Sequence, residues 1–198
     1  MVDLAAKVPT LGTYLAAASA AGGSQLVQAV IYDLPDRDCA AQSSNGEYSI
    51  ANGGATLYKA YIDAIAAQVD STYEPNHYSH HNVPLAKPVS EYPNVRVVFV
   101  VEPDGLANLV TNMSIQKCAT AASTYKALVA YAISKLQQPN VFLYLDAGHA
   151  GWLGWPANIA PAAQLFGQIL ASAGPGAKVR GLATGMLGFI LDLGRMKY

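Results

Sequence analysis

Val95-Arg96-Val97-Val98-Phe99-Val100-Val101-Glu102-Pro103-Asp104 decides the fold class. A valine-rich run, broken only by Arg96, stops abruptly at two acids and a proline. Strict alternation would mark a strand with one wet face. A near-continuous apolar run suits a parallel strand covered on both faces. Pro103 has no N–H to give to a ladder, so it helps to end the strand. The same design occurs twice more. Val27 to Ile31 runs into Tyr32-Asp33-Leu34-Pro35-Asp36-Arg37-Asp38-Cys39, and Val141-Phe142-Leu143-Tyr144-Leu145 runs into Asp146-Ala147-Gly148-His149. The first of these also reads as a plain solvated turn with a proline in it. In parallel α/β folds the C-terminal strand ends share one rim, where chemistry collects. Asp38, Asp104 and Asp146 are therefore expected to converge, although they lie far apart in the chain.

Helices are expected between these runs. Residues 4–29 are alanine-rich and read as helical, with a break at Gly22-Gly23. Thr56 to Val69 places Leu57, Tyr58, Tyr61, Ile62, Ile65 and Val69 at helical spacing, as a core-facing stripe. Ala119 to Leu136 repeats the pattern with Tyr125, Leu128, Val129, Ala132, Ile133 and Leu136, closed by Pro139. Pro161 to Ala173 is a further helix with proline at its start and Gly174-Pro175-Gly176 after it, and Lys178 to Thr184 is a fourth strand. Strands alternating with helices define a parallel α/β chain.

The chain has 198 residues, 52% of them hydrophobic, and this suffices for one domain with a real core. It is short for a closed β/α barrel, which takes about 250 residues. A formal net charge of −1 with no basic block argues against nucleic-acid binding. No apolar run approaches the roughly 18 residues of a membrane span. Met1-Val2-Asp3 opens on an acid, so no secretory signal is expected here.

Three convergent carboxylates suit a hard cation such as magnesium or calcium, or acid–base work on a neutral substrate. His149-Ala150-Gly151-Trp152-Leu153-Gly154-Trp155-Pro156 follows the third run directly and holds both tryptophans. Such rings belong either to the core or to a rim, and the glycine- and proline-rich setting favours the rim. Tryptophan faces beside carboxylates suit sugar rings, whereas phosphates call for Lys or Arg, which are sparse here. Cys39 and Cys118 are the only cysteines, open to reading as free core thiols or as a pair. Asn112-Met113-Ser114 is a glycosylation sequon.

Three segments carry a resemblance: VIYDLPDRDCAAQSSNGEYSIANGG, VVFVVEPDGLANLVTN and NVFLYLDAGHAGWLGWPANIAPAAQLFGQIL. Together they resemble glycoside hydrolase family 6, the cellobiohydrolase and endoglucanase family, from about Ala5 to Thr184. The resemblance implies a distorted parallel β/α barrel, of which the N-terminal half is present. It also implies inverting hydrolysis of β-1,4-glucan with release of cellobiose, without cofactor or metal, in a secreted fungal protein. By position, Asp104 matches the general acid and Asp38 the second aspartate, which influences that acid's protonation. Tyr32 matches the tyrosine crowding the sugar at the cleavage point, and Ser44 a loop serine that places water. Asp146 matches a structural or substrate-contacting carboxylate; His149, Trp152 and Trp155 match sugar-binding positions. The resemblance favours a disulfide between Cys39 and Cys118, which needs an oxidising compartment.

Departures from the family are equally legible. Lys7-Val8-Pro9 is not followed by the family's tryptophan, and Tyr14 is a displaced substitute at best. Residues 70–94 are polar and proline-punctuated where the family passes quickly from helix to strand, and they read as an inserted loop in the manner of a translated intron. His77, His80 and His81 within it lack carboxylate or cysteine partners at metal-site spacing. Residues 185–198 diverge after Thr184, and the family's later aspartate, with its lysine and glutamate neighbours, has no counterpart. Two functional classes follow: a β-1,4-glucan hydrolase acting through Asp104, or a glucan-binding remnant acting through His149, Trp152 and Trp155. A metal-dependent hydrolase using Asp38, Asp104 and Asp146 is a distant third.

Overall fold

The computed structural model describes residues 10–41, 44–69, 92 and 94–185. The elements run α1 (Leu11–Ala20), β1 (Gln25–Ile31), α2 (Gly54–Val69), β2 (Val95–Val101), α3 (Gly105–Thr111), α4 (Gln116–Lys135), β3 (Val141–Asp146), α5 (Pro156–Ser172) and β4 (Gly181–Ala183). The strands form one sheet in the order β1-β2-β3-β4, every neighbouring pair parallel. This is the open portion of a β/α barrel: among the described residues the sheet does not close on itself.

The register sorts the two faces. Ile31 pairs with Val101, Val101 with Leu145 and Leu145 with Leu182. Val97, Phe99, Val101, Leu143 and Leu145 lie in the core, with Val27 and Ala29 packed beside them. Helices cover this face. α4 contributes Tyr125, Leu128, Val129, Ala132 and Ile133, all buried at helical spacing. Each fully buried leucine or isoleucine stabilises by roughly 1.5–3 kcal/mol. α2 contributes Tyr58, Ile62 and Val69, but Leu57, expected in its stripe, is 40% exposed. Position 57 falls beside the buried stripe and faces outward.

Several element boundaries depart from the sequence reading. The helix expected over 4–29 ends at Ala20, where Gly22 and Gly23 take φ of +74° and +63°. The chain then restarts as β1, whose first N–H donates to the Asn94 carbonyl at 2.8 Å. Asn94 also bridges Ser19 and Gly23, and Tyr92 packs on the core, so the last part of the 70–94 stretch is fastened to the sheet. The rest of that stretch, with His77, His80 and His81, lies outside the described residues, as does the tail from 186 to 198. α5 starts at Pro156, not Pro161. Proline suits the first helical position because its missing N–H is not needed there, and Pro161 is carried inside. α3 was not anticipated. β4 is shorter than the expected Lys178 to Thr184.

Candidate active site

The C-terminal ends of β1, β2 and β3 each run into acids. β2 passes through Glu102 and Pro103 to Asp104, which occupies the left-handed region at φ +63° immediately before α3. Such backbone costs of order 1–3 kcal/mol in a non-glycine residue and persists where its surroundings hold it. Asp146, 2% exposed at the end of β3, supplies part of that hold. One of its carboxylate oxygens accepts the Asp104 N–H at 2.9 Å and the Gly148 N–H at 2.9 Å. Gly148 is required: its φ is +61°, and a Cβ there would lie 3.0 Å from the Trp152 ring.

The β1 loop brings Asp38, also left-handed at φ +52°. The Tyr32 hydroxyl donates to the Asp38 carboxylate at 2.6 Å. Burial, followed by that carboxylate, pushes the Tyr32 phenol well above its ordinary range. Arg37 lies over the Tyr32 ring at 4.0 Å, donates to the Tyr32 carbonyl and to the Ser44 carbonyl, and reaches Asp33 at 4.0 Å. Ser44 itself is exposed at φ +67°. From below, the Tyr125 hydroxyl of α4 donates to the Asp36 carbonyl at 2.6 Å. Asp36 in turn accepts the Ile50 N–H at 3.1 Å. A disulfide joins Cys39, next to Asp38, to Cys118 in the first turn of α4.

Asp38 and Asp104 line one cleft of about 250 Å³, together with Asn108, Asn112 and Trp152. Asp146 stands behind Asp104 and is attached to its backbone. Burial pushes the Asp104 carboxyl up to about 6, with Asp146 and then Asp38 adding like-charge repulsion and His149 opposing. Burial also raises Asp146, against the pull of its two N–H donors and His149. A carboxyl that keeps its proton in mild acid, beside a second carboxylate, suits general acid catalysis.

The aromatic residues divide. Trp152 is half-buried, its indole N–H donating to the Thr111 hydroxyl at 2.7 Å, with the His149 ring 6.0 Å away. Trp155 caps α5 and is 62% exposed, outside the cleft lining. Tyr14, 53% exposed on α1, is likewise not part of that lining. Sequence reasoning gave Glu102, Arg37 and Asn108 no role, read Asn112 only as part of a glycosylation sequon and Tyr125 only as a core residue of its helix. The signal for Glu102 was an acid placed directly at the end of an apolar run, ahead of Pro103 and Asp104. Asn108 and Asn112 stand one helical turn apart, the latter's amide donating to the former's at 2.7 Å. Among the described residues, no three His, Cys, Asp or Glu side chains gather as a metal site.

A parallel β/α sheet with its acids gathered at the strand ends is the architecture of a parallel α/β domain whose site lies on one rim, as β/α barrels have it. The sequence profile of Glycosyl hydrolases family 6 matches residues 2–78 and 71–191, and the chain belongs to that family. It is 54% identical over 193 residues to a probable 1,4-beta-D-glucan cellobiohydrolase C of Aspergillus terreus, covering 95% of this chain and 37% of that protein. It is 54% identical over 187 residues to Exoglucanase 3 of Agaricus bisporus, covering 94% and 38%. Among solved structures, the catalytic core domain of the cellobiohydrolase Cel6A from Chaetomium thermophilum superposes with a TM-score of 0.71 at 51% identity, over 87% of this chain and 44% of that one. The CcCel6A catalytic domain complexed with p-nitrophenyl beta-D-cellotrioside gives 0.75 at 50% identity, over 92% and 46%. The chain thus spans under two-fifths of the length of these curated relatives and under half of these structures.

Proposed function

We propose that the chain carries the acid-bearing part of an inverting β-1,4-glucan hydrolase that releases cellobiose. Asp104 protonates the leaving glycosidic oxygen while water attacks the opposite face of the sugar. Asp38 keeps the Asp104 proton in place by like-charge repulsion and is itself oriented by Tyr32, which crowds the sugar at the cleavage point. Ser44 helps to place the water. Trp152 and His149 take the neighbouring sugar ring, and Trp155 extends the path outward. The observation that carries this reading is Asp104: raised to about 6, in a cleft shared with Asp38, its backbone held by Asp146. The relatives' names, cellobiohydrolase and exoglucanase, point to cellulose as the polymer, and the Cys39–Cys118 disulfide fits an oxidising, extracellular setting. We read 70–94 as an insertion and 185–198 as a divergent tail of one incomplete catalytic domain.

The test is hydrolysis of a soluble cello-oligosaccharide by the purified chain beside Asp104→Asn. Cellobiose release that the substitution abolishes supports the assignment; equal release by both sinks it. A second reading rests on Trp155, whose exposed ring stands outside the cleft: a binding module that holds glucan without cutting it. Cello-oligosaccharide binding by calorimetry without turnover would favour this module.

A further inference from the structure

Glu102 is the acid for which the proposed chemistry has no use. It is 1% exposed, at φ +51°, two residues before Asp104. Its two carboxyl oxygens are divided between two backbone donors of the β1 loop: Oε1 accepts the Asp33 N–H at 3.1 Å and Oε2 the Leu34 N–H at 3.2 Å. Its own N–H donates to the Ile31 carbonyl at 2.8 Å, and its carbonyl accepts the Gly105 N–H at 3.2 Å. One residue thus grips the loop leading to Asp38 with its side chain and the turn carrying Asp104 with its backbone. The carboxyl pays a large burial cost, which pushes it up to about 8 against the pull of those two N–H groups and of Tyr58. The Tyr58 hydroxyl, directed at this carboxyl, is the buried side-chain atom without a well-formed hydrogen bond among the described residues. A glutamine or an apolar residue would avoid most of that cost. What neither supplies is two oxygens for two adjacent N–H groups: a carboxyl keeps lone pairs on both of its oxygens even when one carries a proton.

We propose that Glu102 is a positioning residue that sets the placement of Asp38 relative to Asp104 by latching the β1 loop to the turn before α3. The proposal rests on the hydrolase reading only for its consequence in turnover; the latch itself is independent of that reading. Glu102 is not among the groups that set the Asp104 proton affinity, which are burial, Asp146, Asp38 and His149. A change in that affinity on altering Glu102 is therefore expected to travel through movement of the loop or of the turn it grips.

The experiment is Glu102→Gln, which keeps size but turns one acceptor into a donor facing a donor. Ile62→Val, a core truncation in α2, is the control for stability loss alone. Three quantities are read on the whole chain: amide exchange at Asp33 and Leu34, the Asp104 titration by carboxyl NMR, and kcat against KM on a cello-oligosaccharide. Exchange at Asp33 and Leu34 should quicken about tenfold or more in Glu102→Gln. The Asp104 pKa should fall toward the ordinary aspartate range. kcat should drop about tenfold with KM changed far less, as expected when transition-state geometry is lost. Ile62→Val should leave all three in place. Unchanged exchange, or an unchanged Asp104 titration, overturns the latch. If the wild-type chain does not turn over, the hydrolase reading fails, and the exchange and titration still decide the latch.

Discussion

Removing the Cys39–Cys118 bond tests how the loop that carries Asp38 is held. The two cysteines are 79 residues apart. In the chain-entropy description, a cross-link closing a loop of that length removes about 15 cal/mol/K from the unfolded ensemble, or about 4.5 kcal/mol at 25 °C. That is a large share of the roughly 5–15 kcal/mol by which domains are stable. Both positions are buried, at 2% and 0% exposure, so alanine avoids leaving a serine hydroxyl unpaired. The perturbation is Cys39→Ala with Cys118→Ala. The assay is urea unfolding followed by circular dichroism, with reduced wild type as a second arm that loses the cross-link without losing a side chain. Both arms should lose about 3–5 kcal/mol, with a steeper denaturant dependence because the freed chain expands further. A loss below about 1 kcal/mol in both arms refutes the reasoning: the unfolded chain would already be as confined without the bond as with it.

Three further outcomes are expected. With its carboxyl at about 6, Asp104 is about 90% protonated at pH 5, against about 6% for an ordinary aspartate; kcat/KM, which reports the free protein, should fall about tenfold per unit above pH 6 in a pH–rate profile, and a limb near pH 4 would contradict the assignment. Glu102 is neutral in the fold up to about pH 8 but titrates near 4.5 when unfolded; the folded chain binds the extra proton in that window, so stability falls as pH climbs from about 4.5 to 8, and urea midpoints for Glu102→Gln should lack that decline. Trp155→Ala should weaken cello-oligosaccharide binding by about 1–2 kcal/mol in calorimetry while leaving the thermal midpoint within a few degrees, because the exposed ring supports no core.

The strands and their order of service were legible because burial on both faces writes a continuous apolar run. Val27 to Ile31, Val95 to Val101 and Val141 to Leu145 all became neighbouring parallel strands. The helices were less well bounded, for identifiable reasons. Alanine continues across Gly22-Gly23, so composition alone extends α1 into β1, whereas the left-handed glycines end it. Two prolines, 156 and 161, both suit a helix start, and only the extended Trp155 backbone fixes which one serves. α3, seven residues long, is too short to display a period. Within the site, acids at strand ends were visible as charge after an apolar run. Their division of labour was open to sequence only through the family resemblance, which separates Asp104 from Asp146 and is silent on Glu102: Asp104 lines a cleft, Asp146 holds a backbone and Glu102 is buried altogether.

The polar skeleton of the site belongs to three adjacent strands. Asp38 is oriented by Tyr32 of the same loop; that loop is held by Glu102 after β2, by Tyr125 of α4 and by the disulfide; Asp104 is held by Asp146 after β3. β4 adds backbone bonds, the Ala183 carbonyl accepting from Ala147 at 2.8 Å, and no carboxylate. The charged groups that act on Asp104 therefore come from β1 to β3 and their loops, and further strands beside β4 would act on it through burial. Such strands would supply cover instead. Leu182, 50% exposed, faces a cavity of about 380 Å³ with Phe166, Ile159 and Leu153, and His149 stands at its edge. Closing that side buries apolar surface and dries the approach to His149, which strengthens every charge interaction around Asp104. The charged neighbours of Asp104 are thus local, while the dryness around them depends on what lies against β4.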